Sequence, residues 1–326
     1  MTAMTSFGST PKTLSEKLDW LDVRYWRFGH DELLEDHLFD LYAVGDDGAM
    51  TAQPRVDTLT GETRGLMVLG RSGDGKTALL MRTLRASPVL REFGQDMTGN
   101  TLFITVPPEA TVKKLAELIL ARTGYKKIDS RLRSSDAWEM VVHRLGKVGI
   151  TTVVIDECHH MFRTGAGRDK QGAIQSLKHI LQSAGGVALI VAGVPSLRDE
   201  ILAEPSGETY RRFQELKLSA VLPDTRNAAL FATNLRQCAG VLGIHIPADD
   251  AFPERILFAH RGQVGRCVNL AKEILREATT RGRDALSLAA ADRVFRKSNT
   301  GVGQTPFHDA PWETVRVELE AIGWGM

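Results

Sequence analysis

One stretch constrains the chain more than any other: GLMVLGRSGDGKTALLMRTLRA, residues 65–86. It opens on a short apolar run of the kind that forms a buried strand and closes on apolar positions at helical spacing. Between the two, Gly70 to Thr77 reads GRSGDGKT, a full match to G-x-x-x-x-G-K-[ST]. Such a match arises by chance about once per hundred chains of this length. Its place between a strand and a helix is the one its chemistry demands. Glycines at 70, 73 and 75 let the backbone turn so that N–H groups face phosphate oxygens, and the helix that follows presents its positive end to the same anion. The spacing predicts a nucleoside triphosphate site, with ATP as the expected ligand, built from Gly70, Arg71, Ser72, Gly73, Asp74, Gly75, Lys76, Thr77 and Ala78. Lys76 would reach the β- and γ-phosphates, and the Thr77 hydroxyl would ligate Mg²⁺.

A site of this kind needs a second strand that delivers carboxylates beside the loop. TTVVIDE, residues 151–157, has the apolar run and the terminal acids. Asp156 is expected to bind Mg²⁺, directly or through water, and Glu157 to act as general base toward the attacking water. Cys158, His159 and His160 follow at once and raise a zinc reading. That reading needs three or four nitrogen or sulfur ligands in tetrahedral reach, with a distant residue such as His179 as the fourth. Packing is the preferred account of Cys158 and His160, and the preferred metal is magnesium, a hard cation that takes oxygen.

The five apolar runs GLMVLG, TLFITV, ITTVVIDE, VALIVAGV and QELKLSAV are separated by helical stretches. Continuous rather than alternating apolar strands imply a parallel sheet covered on both faces, an α/β fold. A polar, Gly- and Pro-containing segment from Gly45 to Glu62 breaks the helical pattern before the first run. From about Asn227 onward the pattern is helical. The expected organisation is an N-terminal helical segment at 1–62, an α/β nucleotide-binding domain at 63–222, a small helical lid at 223–298 and a tail at 299–326. The tail carries Trp312 and Trp324, which could dock a partner or fold back on the lid; folding back is preferred.

The 326 residues carry a net charge of +1, so no global field draws the chain to nucleic acid or membrane. Three cysteines without C-x-x-C spacing argue for a reducing compartment. No run approaches the ~20 apolar residues that span a bilayer, and the N-terminal residues lack the apolar core of a signal peptide. A soluble cytoplasmic protein without a membrane partner is expected.

Two arginine-bearing stretches complete the pattern. YRRFQELKLSAV places Arg211 and Arg212 directly before the fifth strand, and RGQVGRCVNLAKEIL places Arg266 at the start of a later helix. A guanidinium can stabilise charge spreading over a transferring γ-phosphoryl group. Arg211 or Arg212 suits a finger acting from a neighbouring subunit, and Arg266 a sensor acting within its own.

The ordered set RGLMVLGRSGDGKT, TTVVIDECHHM, VALIVAGVPSL, YRRF and RGQVGRCVNLAKEIL, over roughly residues 14–295, resembles the TniB/TnsC group of AAA+ transposition ATPases, more distantly MuB and IstB. The resemblance implies an AAA+ P-loop NTPase fold, a five-stranded parallel sheet with a small C-terminal helical lid. It also implies an ATPase that regulates DNA transposition. Such a protein assembles with its own copies on double-stranded DNA, as a ring or helical filament, marks a target and recruits or activates a DDE transposase. A TniQ-like protein would be a further partner. One departure stands out: the turn after the fourth strand has Val194 where a polar residue that positions water is usual, with Ser196 a possible substitute, so slow hydrolysis is expected. The alternatives are a helicase loader or other DNA-remodelling AAA+ protein, and a STAND-type signalling NTPase, for which the regions outside the ATPase core are short.

DNA contacts are expected after the second strand, where nine basic side chains face four acidic ones over residues 111–148. The residues concerned are Lys113, Lys114, Lys126, Lys127, Arg131 and Arg133. Arg163, Arg168 and Lys170 lie after the third strand. Binding without sequence preference needs only phosphate contacts, which add up over an oligomer. Reversing Lys113 and Lys114 together should weaken duplex binding and flatten its salt dependence, measured by fluorescence anisotropy across a salt series.

Overall fold

The computed structural model describes residues 11–108, 110–125, 129, 131–163, 167–183, 186–248, 250–300 and 303–324, with the side chains of 167–169 excepted. Lys126 and Lys127 lie outside the described residues, as does the side chain of Arg168. Contacts divide the chain into two units. One comprises His30–Ser72 and Lys76–Leu218; the other comprises Met1–Gly29, Gly73–Gly75 and Ser219–Met326.

The first unit is built on a parallel sheet. Strands β1 (Tyr42–Val44) and β2 (Met50–Pro54) form a separate antiparallel hairpin; β3 (Gly65–Leu69), β4 (Thr101–Thr105), β5 (Thr152–Asp156), β6 (Ala188–Gly193) and β7 (Phe213–Lys217) pair in the order β4-β5-β6-β3-β7. All four pairings are parallel. Alternate residues of each central strand enter two different cores. Met67, Leu69, Val153, Ile155, Leu189 and Val191 pack against the helices Val112–Arg122, Ser134–Lys147 and Gly167–Leu181 on one face. Leu66, Val68, Val154, Ile190 and Ala192 meet the helices Gly29–Leu41 and Lys76–Ala86 on the other. A strand sandwiched in this way has no polar face, which is why these runs are continuous in sequence.

The hairpin β1–β2 falls in the stretch read from sequence as a polar break. Its strands are three and five residues long, too short for an alternating pattern to register. Its turn closes through Gly48, at φ 76°. Tyr42 carries the hairpin into the core: its buried hydroxyl lies 2.5 Å from Thr152 Oγ1 on β5, and burial pushes the phenol above its usual range.

The second unit is helical. Helix Leu14–Val23 starts from a capping box in which Thr13 and Glu16 satisfy each other's backbone donors. Thr225 caps Arg226–Leu242, which ends on Gly243 at φ 75°. Helix Val264–Thr280 buries Cys267, Leu270, Ala271, Ile274, Leu275 and Ala278, one stripe at helical spacing. Leu21, Trp26 and Phe28 join the same core as Phe231, Ile274 and Phe295. Arg276 pairs with Asp22, and Lys272 donates to the Asp22 carbonyl at 3.0 Å.

The C-terminal segment folds onto these helices. Arg255, 1 % exposed, lies on helix Phe252–Ala259. It donates to the carbonyls of Asp250 (2.7 Å), Pro306 (2.6 Å), His308 (3.1 Å) and Ala310 (2.6 Å). Burial lowers its pKa from the usual arginine value. Trp312 meets Phe258 edge to face with centroids 5.3 Å apart, and Trp324 stacks on Phe258 at 6.5 Å. No helix among the described residues is long and apolar enough to cross a membrane. Arg255→Leu strips the donor from several carbonyls at once and should cost about 3 kcal/mol, read as a lower urea midpoint with an early tryptophan-fluorescence change from the C-terminal segment.

A candidate nucleotide site at the carboxyl ends of the strands

Residues 70–75 connect β3 to the helix that begins at Lys76. Gly73 and Gly75 sit at φ 91° and 90°, a region in which a side chain is strained, so the loop's shape needs glycine at both. Gly70 N donates to Gly193 O at 3.1 Å and ties the start of the loop to the end of β6. Lys76 is 4 % exposed, and its ammonium donates to the carbonyls of Gly70 (2.9 Å) and Arg71 (3.2 Å). An ammonium has three donors and can turn them from loop carbonyls to phosphate oxygens with little movement. Residues 73–75 group by contact with the helical unit. There Arg266 N donates to Gly73 O at 3.1 Å, and a Cβ on Gly73 would come within 2.8 Å of Arg266 Nε.

The carboxylates meet the loop through Thr77. Its hydroxyl donates to Asp156 Oδ2 at 2.6 Å, while Asp156 Oδ1 accepts the Glu157 N–H at 2.9 Å. A hydroxyl and a buried carboxylate in contact form the all-oxygen donor set that Mg²⁺ takes, so these residues fit that ion. Glu157 sits in the left-handed region, at φ 53° and ψ 33°. A non-glycine residue held there stores about 1–2 kcal/mol of strain, characteristic of functional sites. Its carboxylate is a third exposed and lies 3.4 Å from His159 Nδ1.

The cluster that raised zinc divides in two. Cys158 is fully buried in the core, where burial together with the Asp156 charge pushes its thiol up, and it is not among the clustered ligand atoms. One ligand atom each of Glu157, His159 and His160 lies within 4.8 Å of the others; His179 is not in that group. His160 Nδ1 is 2.9 Å from Val106 O, which it meets as an N–H donor. His159 is 5 % exposed, and its Nδ1 makes no hydrogen bond. Burial, then His160, Arg163 and Lys76, lower its pKa to about 4, so the ring is neutral at pH 7.

The two arginines before β7 part company. Arg212 is buried, and its Nε and Nη2 grip both oxygens of Glu62 at 2.8 and 2.7 Å while Nη1 donates to Glu208 O at 3.0 Å. Gln182 donates to Glu62 as well, at 2.7 Å. Three of the five N–H donors of the buried Arg212 guanidinium are thus engaged within its own subunit. Arg211 is exposed. Sequence reasoning missed Glu62 because nothing local marks an acid whose partner is 150 residues away.

The remaining expected residues lie on other elements. Ser196 is exposed at the start of helix Ser196–Leu202. Lys113 and Lys114 open helix Val112–Arg122, where Lys114 lies 3.5 Å from Glu117; Arg131, Arg133 and Arg163 are exposed. Lys170 is spent on Glu200, at 2.7 Å.

The family model described as TniB, Bacterial TniB protein, matches residues 55–222. No curated protein sequence matches the chain. Among solved structures, the Aeropyrum pernix ORC1 protein, determined in complex with DNA, superposes with a TM-score of 0.57 at 14 % identity, over 93 % of this chain and 87 % of that one. The Aeropyrum pernix ORC2 protein (ADPNP-ADP complexes) gives 0.55 at 18 %, over 87 % and 72 %. Cdc6p from Pyrobaculum aerophilum gives 0.54 at 16 %, over 92 % and 71 %. These likenesses show the fold, that of AAA+ P-loop NTPases.

The Glu62 clasp has a pH signature. Arg212 and Gln182 hold the Glu62 carboxyl below its ordinary value of 4.5, so its contribution to stability is complete above that value and is lost as pH falls through the depressed pKa. Glu62→Gln should therefore be less stable than the parent by about 1–2 kcal/mol at pH 7, and the difference should vanish in urea titrations on acidification well below pH 4.5.

Proposed function

This chain belongs to the TniB family, and we propose that it is an ATP-dependent regulator of DNA transposition that assembles with its own copies on double-stranded DNA. The observation that supports this reading most directly is the contact between the Thr77 hydroxyl and the Asp156 carboxylate at 2.6 Å, which joins the phosphate loop to the strand that supplies the acids. Loop amides and Lys76 would bind the triphosphate. Mg²⁺, held by Thr77 and Asp156, would neutralise charge on the phosphate oxygens.

Glu157 then takes the proton of the attacking water. The water oxygen bonds to the γ-phosphorus, the bond to the bridging oxygen breaks, and ADP and phosphate leave. Arg266, whose backbone N–H donates to Gly73 O, would act as the sensor within its own subunit. With Arg212 committed to Glu62, the finger offered to a neighbouring subunit is Arg211. A site completed by a neighbour couples hydrolysis to assembly, and the assembled form is the one expected to engage a DDE transposase and a TniQ-like partner.

Lys113, Lys114, Lys126, Lys127, Arg131 and Arg133 would supply phosphate contacts along the duplex. A DNA-remodelling or helicase-loading role is the second reading, favoured by the resemblance in fold to ORC and Cdc6 proteins. It would require binding to a replicative helicase.

Electron microscopy with duplex DNA and a slowly hydrolysed ATP analogue should reveal rings or filaments on DNA; inert monomers would overturn the proposal. Glu157→Gln should slow turnover by roughly 10²–10⁴-fold, the range of a general base, while nucleotide-dependent assembly persists. Loss of nucleotide binding in that variant would contradict the role given to Glu157.

A further inference from the structure

The residue that positions water is missing where the fold usually carries it: β6 ends on Gly193, and Val194 follows. Two side chains crowd the space beside Gly193: a Cβ added there would come within 2.9 Å of Leu197 Cδ2 and 3.3 Å of His159 Nδ1, so the bare glycine leaves room for the leucine and for the imidazole. The same nitrogen lies 3.4 Å from Glu157 Oε2 and makes no hydrogen bond, although the ring is 5 % exposed. A buried donor left unsatisfied costs about 1–3 kcal/mol, and the carboxylate is the acceptor within reach. Closing 3.4 Å to a normal bond needs a shift of about half an ångström.

Its neighbour fixes the ring from behind. His160 Nδ1 is anchored on Val106 O, and the two imidazoles pack with centroids 4.4 Å apart. Around His159 stand His160, Arg163 and Lys76 as cationic or ionisable groups and Glu157 as the acid. Facing a carboxylate 3.4 Å away, the neutral ring is assigned the tautomer with its hydrogen on Nδ1.

We propose that His159 is a positioning residue: its Nδ1–H holds the Glu157 carboxylate in the orientation that accepts the proton of the attacking water, the task left open by Val194. The inference rests on the role given to Glu157 above and is separable from it. Glu157 sits at φ 53°, in the left-handed region, just past the end of β5. His159, on the 3₁₀ turn Cys158–Phe162, constrains its carboxylate from inside the turn that follows.

Two substitutions separate positioning from packing. His159→Asn keeps a donor near the place of Nδ1 and loses the ring; His159→Phe keeps the ring and loses the donor. Positioning predicts that His159→Asn retains most of kcat, whereas His159→Phe loses about 10–100-fold, the scale of a supporting hydrogen bond, with ATP affinity unchanged in a fluorescent-nucleotide assay. In the Glu157→Gln background His159→Phe should add no further loss. The reverse ranking, or a loss that multiplies in that background, overturns the proposal. So does stoichiometric zinc binding that His160→Ala abolishes, which would assign Glu157, His159 and His160 to a metal. Full turnover in Glu157→Gln itself would instead remove the role of Glu157, whereas a slow Glu157→Gln beside an active His159→Phe removes only the inference about His159.

Discussion

The hydrogen bond from Thr77 to Asp156 joins residues 79 positions apart that do not lie on neighbouring strands. β3 leads into the loop, β5 ends at Asp156, and β6 lies between them. With strands about 4.8 Å apart, the loop and the acid stand roughly two strand spacings from each other. A helix beginning at Lys76 is needed to bring a hydroxyl across. That geometry depends on the chain leaving β3 for the far edge of the sheet and returning through β5 and β6, which opens a crevice at the carboxyl ends of the strands, the place where such sheets bind ligands. Glycine at 73 and 75 follows from it, because the loop must turn back on itself within six residues to reach the helix.

Around this bond the sheet fixes direction and the turns fix chemistry. β5 is apolar on both faces from Val153 to Ile155, so its register is dictated by two cores at once. A slip of one residue would exchange every side chain between them. Immediately after Asp156 the backbone enters the left-handed region at Glu157, and the next five residues form a 3₁₀ turn that sends Cys158 inward and sets His159 against the acid. One short segment thus changes from structural to chemical roles within three positions, and the thiol, the most reactive group in isolation, is the one rendered inert by burial.

Buried guanidinium groups perform a different service in each unit. Arg212 binds a carboxylate in a two-pronged grip and thereby joins residues near the start of the sheet unit to the turn before β7. Arg255 binds carbonyls only, and it collects the ends of a segment that lacks regular structure between 303 and 311. Both exploit the fixed planar donor set of arginine, which satisfies several acceptors at once. Lysine could not replace either, having one point of attachment rather than a fork.

The amino-acid order alone determined the five strands, the helices between them, the phosphate loop and the acids at 156 and 157. Each is written in a local pattern: continuous apolar runs, a glycine spacing, carboxylates at a strand's end. The family resemblance was legible for the same reason, since its motifs are local. Tertiary structure decided the rest. It placed β6 between β3 and β5, paired the short strands around Gly45, grouped helix Leu14–Val23 with helices more than two hundred residues later, and paired Arg212 with Glu62. It also set His159 Nδ1 beside both Glu157 and Gly193. These outcomes rest on contacts between distant residues, and such contacts are selected by shape, burial and charge once the chain is folded, so neither partner carries a mark in the sequence around it.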